Sequence, residues 1–141
     1  MATVLWDTNL FIYLFEDSEV LGARVTQLRE GMLQRGDQLF ATALTVGETL
    51  VRPVALGDIG LQNRYLQFFQ SSTITLLPFA SDAALHYARI RQDRSIKPAD
   101  AIQLASAAAA GIDLFVTNDD RLAGKIVLGV KFISSLERAP L

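Results

Sequence analysis

The chain has 141 residues, no cysteine, and a net charge of −2 from 13 basic and 15 acidic residues. Half of the residues are hydrophobic, which excludes intrinsic disorder, and the lack of cysteine excludes disulfides and thiolate metal sites. The balanced charge excludes nucleic-acid binding through bulk positive charge, so such a partner must be held locally by a divalent metal and a few arginines. The length predicts one domain, residues 1–141. The longest apolar stretch, residues 99–116, carries two aspartates and the start lacks a basic signal region, so we expect a cytoplasmic protein without a membrane span.

The first half of the chain alternates between strand and helix patterns. Thr3–Trp6 is a short apolar run typical of a buried strand, and the residues after it are good helix starters. The next apolar run predicts a helix stopped by Glu16-Asp17-Ser18, and the following amphipathic helix closes near Gly36. In chain order, the predicted elements are a strand at 3–6, helices at 11–15 and 21–36, a strand at 39–42, and a helix from 45 to about 51 that Pro53 and Gly57 bend or end.

The second half continues the alternation. Ser81 is a candidate helix cap, Pro98 suits the first turn of a helix, and Gly111 suits a helix C-terminus. The predicted elements are a helix striped by Leu61, Tyr65, Phe68 and Phe69, a strand at 73–77, helices at 81–94 and 98–111, and strands at 114–117 and 130–133. This order favours the α/β class, with a mostly parallel sheet of four or five strands covered on both faces.

Four carboxylates lie where such a fold can bring them together. Asp7 ends the first strand and Asp119 follows the fourth, and parallel sheets bind ligands at the carboxyl ends of their strands. Glu48 lies in the third helix, and Asp100 begins the alanine-rich helix. Two carboxylates about 4 Å apart repel by about 4 kcal/mol at an effective dielectric of 20, so a cluster needs a cation. An all-oxygen set favours Mg²⁺ or Mn²⁺, as one or two ions.

Each acid also has a simpler explanation. Asp7, Asp100 and Asp119 are good helix-capping or dipole-compensating residues. Glu48 is a candidate solvated glutamate, although Val46, Gly47, Leu50 and Val51 surround it in sequence.

The order of these acids resembles the PIN-domain ribonucleases, and most closely the VapC-type toxins of toxin–antitoxin pairs. The residues that carry the resemblance are Asp7-Thr8-Asn9, Glu48, Lys97–Ala105 around Asp100, and Val116–Asp119. The resemblance implies a three-layer α/β/α sandwich and an endoribonuclease that hydrolyses RNA with Mg²⁺ or Mn²⁺ and metal-activated water. It also implies a cognate antitoxin of a type II toxin–antitoxin system and a homodimer as partners.

The resemblance also implies roles for residues. Asp7, Glu48, Asp100 and Asp119 become the catalytic acids and metal ligands, Asp7 and Asp100 directly and the other two through water or a second ion. Thr8, Asn9, Thr117 and Asn118 become the residues that orient them. The family has an aromatic residue a few positions after the fourth acid, where this chain has Leu122. Asp120 adds a fifth acid beside Asp119, and we favour Asp119.

Three basic residues, Arg94, Lys97 and Arg121, are candidate RNA contacts, although solvated helix faces explain them equally well. Two other functions stay open. An aspartyl-phosphate on Asp7 is the first, but phosphatases of that kind need a second Asp where this chain has Asn9. The second is a catalytically silent PIN module that binds RNA or a protein partner.

Overall fold

The computed structural model describes residues 1–16 and 19–140, within which the chain forms five strands and six helices. The strands are β1 Thr3–Trp6, β2 Gln38–Thr42, β3 Ile74–Leu77, β4 Leu114–Thr117 and β5 Phe132–Ser135. The helices are α1 Thr8–Glu16, α2 Val20–Arg35, α3 Ala43–Ala55, α4 Ile59–Gln70, α5 Ser81–Ile90 and α6 Pro98–Ala110. Asp17 and Ser18, predicted to stop the first helix, lie outside the described residues. No helix of the described residues is long and apolar enough to cross a membrane.

The five strands form one parallel sheet in the order β3-β2-β1-β4-β5. The chain adds strands on one side of β1 as far as β3 and then returns to place β4 on its other side. The strand order therefore reverses between β1 and β4, the point at which open α/β sheets bind their ligands. This topology confirms the predicted α/β class and places the residues after β1 and β4 side by side.

Each face of the sheet carries its own hydrophobic core, because successive strand residues point to opposite faces. Val4 and Trp6 of β1 pack in one core with apolar residues of α1, α2 and α4. Leu5 packs in the other core, with Leu104 and the buried alanines of α6 and with Ile90 of α5. Helices on both faces of one sheet make the predicted three-layer α/β/α sandwich.

The structure confirms the predicted helix ends at glycine, Gly36 with φ 74° and Gly111 with φ 66°. It corrects the helix predicted from Thr45 to about Val51, since α3 begins at Ala43 and continues through Pro53 to Ala55. Thr42 caps that helix, because its hydroxyl accepts from the Thr45 N–H at 3.2 Å. Pro53 lies in the last turn of α3, where it removes one backbone hydrogen bond but does not end the helix.

Two other boundaries differ from the prediction. The helix expected to reach Arg94 ends at Ile90, because the Gln92 and Asp93 N–H groups bond to carbonyls three residues back and tighten the chain into turns. Ser81 is the first helical residue and not the cap, a position that Ala80 takes. The last strand runs from Phe132 to Ser135 instead of from 130 to 133.

We expect Gly129→Ala to lower the free energy of unfolding by about 1–3 kcal/mol, from a strained backbone and an overpacked contact. Gly129 has φ 98°, and an added Cβ would meet the Cβ of Ala108 at 2.9 Å and its carbonyl oxygen at 3.1 Å. Urea denaturation measures the change. Gly47→Ala is the matched control, since an added Cβ at Gly47 in α3 meets no atom within 4 Å. We expect it to raise stability by about 0.5–1 kcal/mol, and equal losses in both variants would contradict this packing.

Candidate functional site

Asp7 connects the two central strands at the point where the strand order reverses. Its N–H donates to the carbonyl of Val116 in β4 at 2.9 Å. Its carboxylate accepts from the N–H of Thr8 at 2.8 Å through one oxygen and from the Thr117 hydroxyl at 2.8 Å through the other. Only 8% of Asp7 is exposed. A carboxylate with one hydrogen bond on each oxygen is therefore fixed in a nearly dry position.

Burial raises the pKa of Asp7 to about 6. The hydrogen bonds from Thr117 and Thr8 oppose that rise, whereas the negative charges of Asp100 and Glu48 add to it. Acids from α6 and α3 thus lie close enough to act electrostatically on the acid that follows β1. The structure brings together three of the four predicted acids in this sense.

The fourth acid, Asp119, is coupled to Asp100. The pKa of Asp100, in the first turn of α6, is raised by burial first and then by the charge of Asp119. Glu48 adds to this rise, while Arg121 and Lys97 oppose it. These effects connect all four predicted acids in one electrostatic neighbourhood.

Asp119 differs from Asp120 in what surrounds it. Arg121 donates to both carboxylate oxygens of Asp119, from Nε at 3.1 Å and from Nη2 at 2.7 Å, and lowers the pKa of Asp119. Asp120 lines a cavity of about 910 Å³ along β5 with Lys131 and Phe132. The four acids lie outside the lining of this cavity, so their electrostatic coupling, and not the cavity, locates the candidate site.

Among the described residues, no three His, Cys, Asp or Glu side chains already form a metal-binding group. The charges of Glu48, Asp100 and Asp119 each raise the pKa of a neighbouring acid of the set, and hydrogen bonds fix the orientation of three of the four carboxylates. Asp7 is held by Thr8 and Thr117, and Asp119 by Arg121. Glu48 accepts from the Thr8 hydroxyl at 2.6 Å. Their chemistry, carboxylate oxygens without thiolate or imidazole, fits Mg²⁺ or Mn²⁺.

A buried group of hydroxyls and one amide lies beneath Glu48, and sequence reasoning missed most of it. Gln103 donates through Nε2 to the hydroxyls of Thr45 at 2.7 Å and Thr8 at 3.1 Å, and its Oε1 accepts from the Thr42 hydroxyl. The exposed fraction of Gln103 is 1%, and that of Thr45 is 0%. The sequence signal was present, because Gln103 follows Asp100 by three residues and so shares its helix face.

Of the four residues predicted to orient the acids, two threonines contact an acid and the two asparagines have other surroundings. Thr117 donates to Asp7 and accepts from the Asp119 N–H at 3.0 Å, so one hydroxyl joins two of the acids. Thr8 holds Glu48, as described above. Asn118 donates to the Tyr13 hydroxyl at 3.0 Å, and Asn9 is exposed.

All three candidate RNA contacts are exposed, and two of them, Arg94 and Lys97, lie at the approach to α6. Arg94 lines a shallow groove of about 400 Å³ with Arg91 and Gln92. Arg121 lies instead against Asp119. Leu122, at the position where the family has an aromatic residue, is buried in the core beside α6.

The chain belongs to the PIN domain family, whose model matches residues 4–125. Among solved structures, VapBC2 from Rickettsia felis bound to a promoter DNA fragment has a TM-score of 0.75 at 14% identity, covering 94% of this chain and 98% of that one. A toxin–antitoxin complex from Klebsiella pneumoniae has a TM-score of 0.70 at 25% identity, covering 90% and 94%. VapC20 from Mycobacterium tuberculosis, a sarcin–ricin loop cleaving toxin, has a TM-score of 0.68 at 14% identity, covering 84% and 92%. No curated protein sequence matches the chain.

We expect Asp7→Asn to stabilise the protein in the presence of a chelator. The folded pKa of about 6 exceeds the ordinary value of 3.8, so the folded state binds the Asp7 proton more tightly than the unfolded state does. Stability therefore falls as the pH rises from about 4 to about 6 and stays reduced above that range. Asn avoids this cost, which a shift of this size puts at up to about 3 kcal/mol at pH 8. Urea denaturation across this pH range should show the gain of the variant vanish near pH 4.

Asp113→Asn is the control, because we expect this substitution to change the stability in the opposite direction. Asp113 accepts from the Thr3 N–H at 2.9 Å and from Lys131 at 2.9 Å, and these contacts lower its pKa to about 2. Its contribution to stability is present above pH 3.8 and is lost as the pH falls towards 2. The Asn variant should therefore be less stable than the wild type at pH 8. If Asp7→Asn were less stable than the wild type by the same amount at every pH, the burial of a charged Asp7 would be contradicted.

Proposed function

We propose that this chain, as one nuclease domain over residues 1–141, is a divalent-metal-dependent endoribonuclease and the toxin of a type II toxin–antitoxin pair. The observation that carries the proposal is the buried Asp7, whose pKa is raised by the charges of Asp100 and Glu48 as well as by burial. Burying a carboxylate close to other carboxylates lowers the stability of the folded protein. Catalytic sites are where proteins accept such costs.

In this proposal, Asp7 and Asp100 would hold one Mg²⁺ or Mn²⁺ directly, while Glu48 and Asp119 would act through water or hold a second ion. A bound dication supplies Lewis-acid stabilisation of the scissile phosphate and a more acidic water. The chain's own residues supply the positions: Thr117 fixes the carboxylate of Asp7 and Thr8 fixes that of Glu48. Glu48 and Asp119 orient the attacking water.

The proposed partners are RNA, a cognate antitoxin and a second copy of the chain, all in the cytoplasm. The similar structures from Rickettsia felis and Klebsiella pneumoniae contain toxin–antitoxin pairs, which supports an antitoxin. An apolar surface at the junction of α3 and α4 supports a protein partner. The side chains of Val51, Val54, Leu56 and Ile59 on this surface are each 59–67% exposed.

A second candidate is a PIN module that binds RNA or a protein without cleaving RNA. One observation favours it, the lack of a ready-made group of three metal-binding side chains among the described residues. The two functions differ in the effect of a divalent metal on RNA, which the next experiment measures.

We expect the purified protein to cleave RNA with Mg²⁺ or Mn²⁺ and to lose activity with a chelator. Asp7→Asn and Asp100→Asn should each lower the cleavage rate by more than about a hundredfold, because each removes a proposed metal ligand. Electrophoresis of labelled RNA fragments measures the rate. Retained cleavage with the chelator, or in both variants, would refute the metal mechanism.

A paired comparison tests which of the two adjacent acids, Asp119 or Asp120, takes part in RNA cleavage. Asp119→Asn should lower the cleavage rate at least tenfold. Asp120→Asn should leave the rate within about twofold, because Asp120 lines the cavity along β5 rather than facing Asp100. The reverse pattern would assign the role to Asp120.

The proposed RNA contacts predict a change in salt dependence. Arg94→Gln and Lys97→Gln should each weaken binding of catalytically inactive Asp7→Asn protein to single-stranded RNA. Each lost phosphate contact lowers the slope of log affinity against log salt by about 0.7. Arg64→Gln on α4 is the charge-matched control and should leave the slope unchanged. Fluorescence anisotropy at several salt concentrations gives the slopes, and equal slopes in all variants would exclude these two residues as contacts.

A further inference from the structure

The buried polar group beneath Glu48 joins residues from four elements of the fold. Thr8 begins α1, Thr42 ends β2, Thr45 lies in the first turn of α3, and Gln103 lies on α6. All four are at least 92% buried. Polar groups that are buried this fully need partners, and here each finds one within the group or on Glu48.

Glu48 sets the direction of the hydrogen bonds that the Thr8 and Thr45 hydroxyls donate. As a carboxylate it only accepts, so the one proton of the Thr8 hydroxyl points to it across 2.6 Å. The contact of 2.9 Å between the Thr8 and Thr45 hydroxyls must then use the proton of Thr45. Both hydroxyl oxygens accept from the two N–H groups of the Gln103 amide.

The other end of the amide is fixed in the same way. The Thr42 hydroxyl accepts from the Thr45 N–H and donates to Oε1 of Gln103, which leaves Nε2 facing Thr45 and Thr8. If the amide were reversed, Oε1 would compete with Glu48 for the Thr8 proton. The orientation of Gln103 therefore commits that proton to Glu48.

We propose that Gln103 is a positioning residue for the metal site, acting on Glu48 through the Thr8 hydroxyl. This role rests on the proposed function, since it assumes that Glu48 helps to hold the dication. Gln103 lies one helical turn after Asp100, so the same face of α6 carries a proposed ligand and the residue that aligns another. A residue such as Leu would fill the space but would donate no N–H to the two threonine hydroxyl oxygens, and so would not fix their positions.

The test measures Mn²⁺ affinity by isothermal titration calorimetry near neutral pH, with circular dichroism to confirm that each variant is folded. Thr8→Val should weaken binding by about 10–100-fold, as loss of a group that hydrogen-bonds a ligand does, and Thr8→Ser should keep it. Gln103→Met should weaken binding by about two- to tenfold, the equilibrium factor of one lost hydrogen bond. Gln62→Met is the matched control, because this amide bonds to the Pro53 carbonyl on α3 and should not affect Mn²⁺.

The double variant separates a positioning role from a merely structural one. If Gln103 acts through Thr8, then Gln103→Met should cause no further loss in the Thr8→Val background. Unchanged affinity in Gln103→Met, or a loss that multiplies in the double variant, overturns the positioning role while the metal site stands. Absence of Mn²⁺ binding by the folded wild type instead overturns the proposed function and this role together.

A second variant keeps the test decisive if Gln103→Met does not fold. Thr45→Val interrupts the same hydrogen bonds with a side chain of the same shape. We expect it to weaken Mn²⁺ binding by about two- to tenfold, with Thr45→Ser near the wild type. Wild-type affinity in a folded Thr45→Val variant would overturn the positioning role.

Discussion

The candidate site depends on a carboxylate held in a nearly dry position between two strands. Asp7 follows β1 where the strand order reverses, and its backbone and side chain bond to Val116 and Thr117 of β4. Parallel pairing of β1 with β4 fixes the register of these residues. The electrostatics of the site start from this contact, because burial of Asp7 is the largest cause of its raised pKa.

The polar contacts around Asp7 offset part of the free-energy cost of burying a charged carboxylate. Thr117 donates to one acid and accepts from the backbone of another, while Thr8 donates to a third. Hydrogen bonds of this kind lower the free energy of ionised carboxylates where water is excluded. Arg121 does the same for Asp119 by direct ion pairing. The site is thus assembled from separately stabilised acids, whose remaining repulsion a dication would neutralise.

Two of the four elements that contribute the buried polar group, α3 and α6, also carry acids. Glu48 and Thr45 lie one turn apart on α3, and Asp100 and Gln103 lie one turn apart on α6. Each helix therefore brings an acid and an uncharged hydrogen-bonding residue to the same place. Buried networks of this kind need every member satisfied, which makes the relative rotation of the two helices specific. A packed apolar interface alone would permit small shifts that misalign the acids.

Much of this molecule could be predicted from local patterns. Short apolar strands, glycine-terminated helices and their alternation gave the α/β class, and the order of four acids gave the family. The strands and helix ends depend on residues near one another in sequence, and the family depends on the order of the acids along the chain. The end of α5 and the length of α3 could not be predicted in this way, since turns after Ile90 and tolerance of Pro53 depend on local hydrogen bonds that propensity does not resolve.

The amino-acid sequence by itself determined which acids are available and that three of them, Asp7, Asp100 and Asp119, follow strands or begin a helix. Only the tertiary structure decided which side chains hold Asp7 and Glu48, because Thr117 and Thr8, respectively, are distant from them in sequence. Thr117 is 110 residues from Asp7, and Gln103 is 95 residues from Thr8. Whether a buried glutamine is a core residue or an aligner of Glu48 depends on which hydroxyls face its amide. That arrangement follows from strand order and helix packing, which no local pattern encodes.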